Sequence, residues 1–549
     1  MMDDVTELLL LLPTLLLLFI GPGEVCASHE FTAWRAQQYE LYGIGYGSRS
    51  AVLSAEVRPV NSGELSRRCV IVRLADLTLA RVRRAVSLAA AALLVLLPPN
   101  LGRLSPELME QQFQEVEQEL LTAEMPMPVY FAHEDSELLA MHKQLQDTSS
   151  DLVEPSAAGM LLRSATANGF QFVASGGQSK PLPDWPIVSL EGRLAGLEGN
   201  EDLPTVVLVA HYDTFGVAPG LSFGADSNGS GVVALLELAR LFSRLYAHQR
   251  THAPFNLLFL FSGGGKFSYQ GTKRWLEDNL DHTDSSWLQD SVAFALCLDT
   301  LGSSDALNVH VSRPPRDGTP IQAFLQELEK VSSHYPPLQM TLVHKKINLA
   351  EELLCWEHER FGLRRIPALS ISHLDSPHRR SRHSILDVGS KVNVKRLTRN
   401  VKVVAEALAH YLYNLTGKET TEESEIFTEE MGVRENELEA QLEWLSREAR
   451  AAQLVQPDVG LLPSLEAIMN RHLHEVHRHT ARADKREPEF VFYDQLTQVI
   501  NAYRVKPAIF DLILALCIAG YLGMVYIAVQ NVNLLFDSLR RLTLRPKQQ

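Results

Sequence analysis

Thr205-Val-Val-Leu-Val-Ala-His211-Tyr-Asp213, continued by Gly224-Ala-Asp226-Ser-Asn-Gly-Ser-Gly231, is the stretch that most narrows the folds open to this chain. An apolar run leads into a His-x-Asp, and a loop then returns with an aspartate set among glycines. The apolar spacing from Val232 to Phe242 predicts an amphipathic helix directly after it. Strand, loop and helix in that order present polar side chains at the carboxyl end of a buried strand. In an open α/β sheet such strand ends face the crevice where ligands and metals bind.

Residues 151–416 keep the same alternation. Strands are expected at Pro186–Leu194, Thr205–Ala210, Phe255–Phe261, Val292–Leu298, Leu307–Val311 and Pro367–Ser372. Helices are expected at Val232–Tyr246, Pro320–Ser333 and Val392–Leu415. The fold class is therefore α/β, a mostly parallel sheet covered by helices on both faces. Residues 28–150 predict a smaller N-terminal α/β domain that covers or shapes the cleft of the larger one. Its strands are expected at Arg68–Leu74, Ala92–Leu97 and Pro128–Ala132, with a helix near Leu79–Ala91. The apolar run Leu88–Leu97 is too short to span a bilayer and is stopped by Pro98 and Pro99.

Residues 417–507 read as an acidic connector, with Glu422, Glu423, Glu425, Glu429 and Glu430, followed by membrane-proximal helices. The first carries Leu438, Leu442 and Leu445, and Pro457 and Pro463 separate the later ones. His472, His474, His477 and His479 cluster there. On a helix, residues two apart diverge, which leaves His474 and His477 as the only pair three or four apart, so a solvated helix face is expected rather than a metal site.

Both ends point to a membrane. Leu8–Ile20 is apolar but shorter than a span, and Val25-Cys-Ala27 has the small-residue spacing of a signal-peptidase site, so residues 1–27 are expected to be a signal peptide. The acidic start, Asp3, Asp4 and Glu7, departs from the usual basic one, and an uncleaved anchor or a buried helix remains open. Residues 508–529 carry one charge, Asp511, and are expected to form a transmembrane helix. Arg540, Arg541, Arg545 and Lys547 outnumber Arg504 and Lys506, which places the tail 530–549 in the cytosol and the body of the chain in the lumen. Ala515, Ala519 and Gly523 recur every fourth residue, a stripe that lets a second membrane helix pack closely.

A net charge of −15 excludes the concentrated basic surface that nucleic-acid binding needs. Cys26 and Cys517 lie in or beside the terminal apolar segments, which leaves Cys69, Cys297 and Cys355 for the folded body. Three thiols make at most one bridge, so this is no disulfide scaffold, and their redox state stays open. The Asn-x-Ser/Thr sequons at Asn414 and Asn228 are candidate glycan sites, Asn228 the poorer because it lies inside the Gly-rich loop.

The order His211-x-Asp213, Gly224–Gly231, Phe259-Leu-Phe-Ser-Gly-Gly264, Leu298-Asp299-Thr-Leu-Gly302 and His383-Ser-Ile-Leu-Asp387 resembles that of the co-catalytic zinc aminopeptidases. The resemblance implies one terminal ligand at His211, a bridging carboxylate at Asp226, a second terminal carboxylate at Asp299 and a last imidazole at His383. Asp213 would then orient His211 from behind. Where that family has Glu-Glu, this chain has Gly265-Lys266. A glycine offers no base to a metal-bound water, and a lysine repels a dinuclear centre while neutralising the carboxylates around it. The expected site is a remnant with no catalytic residue and no metal or other cofactor. The alternative is a membrane-anchored zinc aminopeptidase.

With its layout and the run Asp484–Tyr493, the chain is similar to the non-peptidase, nicastrin-like branch of that superfamily. Resemblance to the endoplasmic reticulum members of the branch implies a scaffold subunit in that membrane. The implied partners are a Nodal-modulator-type lumenal protein, a small polytopic membrane protein and the translocon that inserts multi-spanning proteins. It also implies a link to Nodal signalling.

Overall fold

The computed structural model describes residues 29–103, 107–150, 169–182, 185–197, 203–281, 292–351, 353–415, 425–483, 488–505 and 508–532. The expected signal peptide at 1–27, the first part of the acidic connector and most of the tail lie outside the described residues.

The larger domain is built on an eight-stranded sheet. From one edge its strands are Gln339–His344, Ala306–Val311, Ala368–Ser372, Val292–Leu298, Thr205–His211, Asn256–Ser262, Pro186–Leu194 and His474–Arg482. The inner strands from Ala368–Ser372 to Asn256–Ser262 run parallel, and Ala306–Val311 is parallel to Gln339–His344. The remaining three pairs are antiparallel, so the sheet is mixed, with the expected parallel pairing in four of its seven pairs and at its centre. Pro186–Leu194 pairs with Asn256–Ser262 and His474–Arg482, not with the next strand in sequence, Thr205–His211.

Thr205–His211 is buried along its whole length. Val206, Leu208 and Ala210 enter one core with the helices Ser230–Tyr246, Pro320–Ser332 and Val394–Leu412, while Val207 and Val209 pack with Trp275, Leu276 and Phe361 on the opposite face. Burial of each large apolar side chain contributes about 1.5–3 kcal/mol. Covered on both faces, the central strand needs no polar alternation, which is why it reads as a continuous apolar run.

The smaller domain is a closed barrel of seven strands whose members come from three distant parts of the chain. His29–Arg35, Ser54–Pro59, Cys69–Arg73, Ala92–Leu97 and Val129–His133 are joined by Gly169–Ala174 and by Thr497–Val505. The last of these pairs with His29–Arg35 on one side and Gly169–Ala174 on the other.

Past His472 the expectation of helices fails. Glu435–Leu445 and Leu461–His472 are helical, but His474–Arg482, Phe490–Tyr493 and Thr497–Val505 are strands. His474–Arg482 is a half-exposed edge strand, which tolerates alternating polar side chains, while Phe490–Tyr493 and Thr497–Val505 each lie between two partners; the pairing that fixes all three is with residues hundreds of positions away. His477 and His479 therefore share a strand face, and His479 Nε2 lies 3.0 Å from Glu191 Oε2.

Ala508–Gln530 is a 23-residue helix. The side chains at 508–511, 513 and 517 lie outside the described residues, and among the described residues no helix meets the length and apolarity of a membrane span.

The two domains share a core. Val217, Ala218, Leu221, Ile385 and Leu386 of the larger domain pack with Val70, Val72, Val95 and Phe113 of the smaller one. Glu117, on the helix Glu107–Thr122, accepts from the Ile385 amide at 2.8 Å and from the Ser384 hydroxyl. The loops after Asp213 and after His383 are thus held against the small domain.

Candidate functional site

His211 ends the central strand, and Asp226 lies in a π-helical turn, Ala225–Gly229, that opens the helix Ser230–Tyr246. Gly224 enters this turn with φ +56, and a Cβ there would stand 2.4 Å from the Thr214 methyl, so the position demands glycine. Arg450, buried beyond the helix Glu435–Leu445, holds the turn from behind. Its Nη2 donates to the carbonyls of Phe223 and Gly224 at 2.8 Å and its Nη1 to that of Tyr212 at 3.2 Å. Burial lowers its pKa to about 10.

The sequence-selected residues do gather, but with other partners than expected. Asp213 does not orient His211. Its Oδ1 accepts from the Gly265 amide at 2.8 Å, while neither ring nitrogen of His211 has a hydrogen-bond partner. Glu357 stands beside His211 instead, its Oε2 3.6 Å from Nδ1. The other oxygen of Glu357 accepts from Ser262 and Thr272, each at 2.6 Å.

Asp226 Oδ1 accepts from the Gly302 amide at 2.7 Å, and Oδ2 lies 3.5 Å from Nδ1 of His373. His383, expected as the last imidazole, packs edge-on against Phe215. Burial, with Lys266 and Arg382 nearby, drives its pKa well below the usual histidine range. Asp387 accepts from the amides of Asp226 and Ser227 at 2.9 and 2.7 Å, and burial together with Asp226 raises its pKa.

The cation on Asp299 is Arg382, not Lys266. Arg382 Nη2 donates to Asp299 Oδ2 at 2.5 Å and to the Tyr269 hydroxyl at 3.0 Å, and Nη1 donates to the Cys355 carbonyl at 2.8 Å. Its guanidinium also lies 4.4 Å from the Trp356 ring centre, over the indole face. Burial alone would push the Asp299 carboxyl up, but Arg382 and then Lys266 outweigh it and hold it below the usual range. Lys266 is 8% exposed. Its Nζ reaches the Ser227 carbonyl at 3.4 Å, and among the described residues it forms no ion pair within 4 Å. Burial and Arg382 lower its pKa to about 8.

Gly265 is the tightest point. A Cβ there would lie 2.4 Å from Cβ, Cγ and Cδ2 of His211. The imidazole fills the space that a side chain at 265 would require. Arg382 lines both of two neighbouring cavities, one of about 390 Å³ with Lys266 and His383, the other of about 350 Å³ with Asp226 and His373. Among the described residues, His211, Asp226, Asp299 and His383 do not bring ligand atoms together as a metal centre requires; the one group that does is Glu351, Cys355 and His378.

Glu357, His373, Arg382 and Arg450 escape a reading of the sequence. His373 alone carries a local signal, since it follows the strand Ala368–Ser372 as His211 ends its own. The others belong to charged segments whose neighbours only folding supplies. Asn228, a candidate glycan site, is fully buried, with Nδ2 donating to the Asp213 carbonyl at 2.6 Å and Oδ1 accepting from Arg450. In the folded chain that nitrogen has no room for a sugar. Asn414 is exposed.

Residues 194–408 match the model of peptidase family M28. The crystal structure of the γ-secretase component nicastrin aligns with 88% of this chain and 100% of its own, with a TM-score of 0.57 and 11% identity, a likeness of fold. BOS complex subunit ncln of Danio rerio is 57% identical over 545 residues, covering 96% of this chain and 95% of that one. Nicalin of Caenorhabditis elegans is 29% identical, covering 93% and 92%. With an aminopeptidase-like domain at its centre and this likeness over nearly its full length, the chain belongs to the nicalin family.

Proposed function

We propose that this chain is a non-catalytic scaffold subunit of an endoplasmic reticulum membrane complex, with the aminopeptidase-like domain used for its surface. The observation that carries this reading is the contact between Gly265 and His211. It leaves no side chain at 265 to take a proton from a metal-bound water, and no space for one without moving the imidazole. Arg382 and Lys266 supply among the buried carboxylates the positive charge that a metal pair would bring.

Membership of a complex is supported by the relatives, which are called BOS complex subunits. In the proposed assembly the helix Ala508–Gln530 crosses the bilayer. Its 23 residues rise about 35 Å, enough for a hydrocarbon core of about 30 Å. Leu512, Leu516, Leu522, Met524 and Ile527 are exposed along it, apolar surface suited to lipid. The stripe Ala515, Ala519 and Gly523 then meets a partner helix, residues 1–27 act as a signal peptide, and Asn414 carries a glycan on the lumenal side. The partners in this reading are a large lumenal protein of the Nodal-modulator type and a small polytopic membrane protein. The complex works beside the translocon in inserting multi-spanning proteins and bears on Nodal signalling.

The enzyme reading is tested with the full chain in detergent, supplied with Zn²⁺ and amino-acid chromogenic amides. No turnover is expected from the natural chain, nor from the double variant Gly265→Glu, Lys266→Glu. Hydrolysis that disappears in Asp226→Asn would sink the proposal.

A further inference from the structure

Across the mouth of the larger cavity, away from His211 and Asp226, three side chains of different ligand type converge. Glu351, Cys355 and His378 each bring one ligand atom within 4.8 Å of the other two, and all three line that cavity. The arrangement is oriented from outside. Glu351 Oε1 accepts from Asn348 Nδ2 at 3.0 Å and lies 4.0 Å from Lys345 Nζ. That leaves Oε2 facing the Cys355 thiol, which donates to it at 2.9 Å. The Cys355 amide donates to Glu359 Oε2 at 2.9 Å, and its carbonyl is capped by Arg382 and the Tyr269 hydroxyl. His378 follows Pro377 on an exposed loop.

Cys355 is a free thiol. Its S–H is held by the Glu351 carboxylate, a contact that a cation between the two groups would replace. Coordination to a divalent cation deprotonates a thiol outright.

We propose that Glu351, Cys355 and His378 bind a divalent transition metal, with Zn²⁺ the best match to one thiolate, one imidazole and one carboxylate. On binding, the Cys355 S–H bond breaks and the sulfur donates its electron pair to the metal. The proton leaves to solvent, and the Glu351 carboxylate and neutral His378 donate pairs without any change of oxidation state. Water completes a tetrahedral shell. The ion ties the segment 353–355 to the loop 375–379 across the cavity mouth. Through the Cys355 carbonyl it also steadies Arg382. This site goes beyond the scaffold role and does not depend on it.

The test is a Co²⁺ titration of the full chain in detergent with a non-thiol reductant, read by thiolate-to-cobalt charge-transfer absorption. One saturable band is expected, displaced by Zn²⁺ and accompanied by release of one proton per ion. Cys355→Ser abolishes the band. His378→Ala, a change at an exposed position that leaves the fold intact, weakens apparent affinity at least about tenfold. Absence of the band in the natural chain, its persistence in Cys355→Ser, or unchanged affinity in His378→Ala overturns the proposal.

Discussion

Arg382 and Asp299 form an ion pair with side chains only 4% and 5% exposed, its Nη2 to Oδ2 distance 2.5 Å. Truncating one partner strands the other charge away from water, whereas removing both does not. Arg382→Ala is expected to lower stability by about 3–5 kcal/mol. Asp299→Asn added to it should recover a large part of that loss. Thermal unfolding of the four chains of this double-mutant cycle, in one detergent, checks the coupling; additive losses would show that the pair is incidental.

Gly265 and His211 give a second cycle. Gly265→Ala places its methyl 2.4 Å from the imidazole, which is itself packed edge-on against Tyr269. The expected loss is about 1–3 kcal/mol from overpacking. In a His211→Gly background, where the Cβ and ring atoms that it meets are all gone, the same change should cost much less. Equal losses in the two backgrounds would place the strain elsewhere.

The contrast between these two sites shows what a sequence discloses. His211, Asp226 and Asp299 sit at the ends of apolar runs, and each run carries its own local signature of strand or helix. Their convergence follows from the rule that strand ends of an open sheet face one crevice. Arg382 has no such signature: it is one cation in an Arg-rich loop, and only packing against Trp356, Tyr269 and Asp299 singles it out. Thr497–Val505 is hidden for the same reason. Its neighbours in the barrel, His29–Arg35 and Gly169–Ala174, lie far away in sequence, so nothing local reports the pairing.

Glu117 links the domains and makes their junction sensitive to pH. Its carboxyl is raised by burial from 4.5 to about 8, although Ser384 and the Ile385 amide pull it down. Between those values the folded chain holds a proton that the unfolded chain has released. Its contribution is complete below about pH 4.5 and is lost as pH rises through about 8. Stability of the junction should therefore fall over that interval. Glu117→Gln should flatten this part of the profile, as read by hydrogen exchange at Ile385 and Leu386; an unchanged slope would assign the dependence to other groups.

The two sequons should behave oppositely. Asn414→Gln is expected to remove one glycan-sized step in electrophoretic mobility without changing thermal stability. Asn228→Gln should leave mobility unchanged, yet lower stability by about 1–3 kcal/mol, because the longer amide cannot keep its bonds to the Asp213 carbonyl and Arg450. Glycosidase-sensitive mobility at Asn228 would mean that the Gly-rich loop is open when the chain is modified.

The C-terminal helix offers the most direct test of assembly. Ala515, Ala519 and Gly523 lie at successive fourth positions, and a Cβ added at Gly523 meets no atom within 4 Å. Bulk at this stripe therefore disturbs nothing inside the chain. In a bilayer, apolar contact alone does not hold helices together, since lipid is as apolar as leucine; close backbone approach at small residues does. Ala519→Phe with Gly523→Phe should leave the unfolding temperature of the folded body unchanged. It should also cut recovery of membrane partners in mild-detergent affinity capture several-fold. A matched pair on another face, Leu514→Phe with Met524→Phe, should have little effect. Equal recovery from all three chains would remove the stripe from the interface and leave the aminopeptidase-like domain as the contact surface.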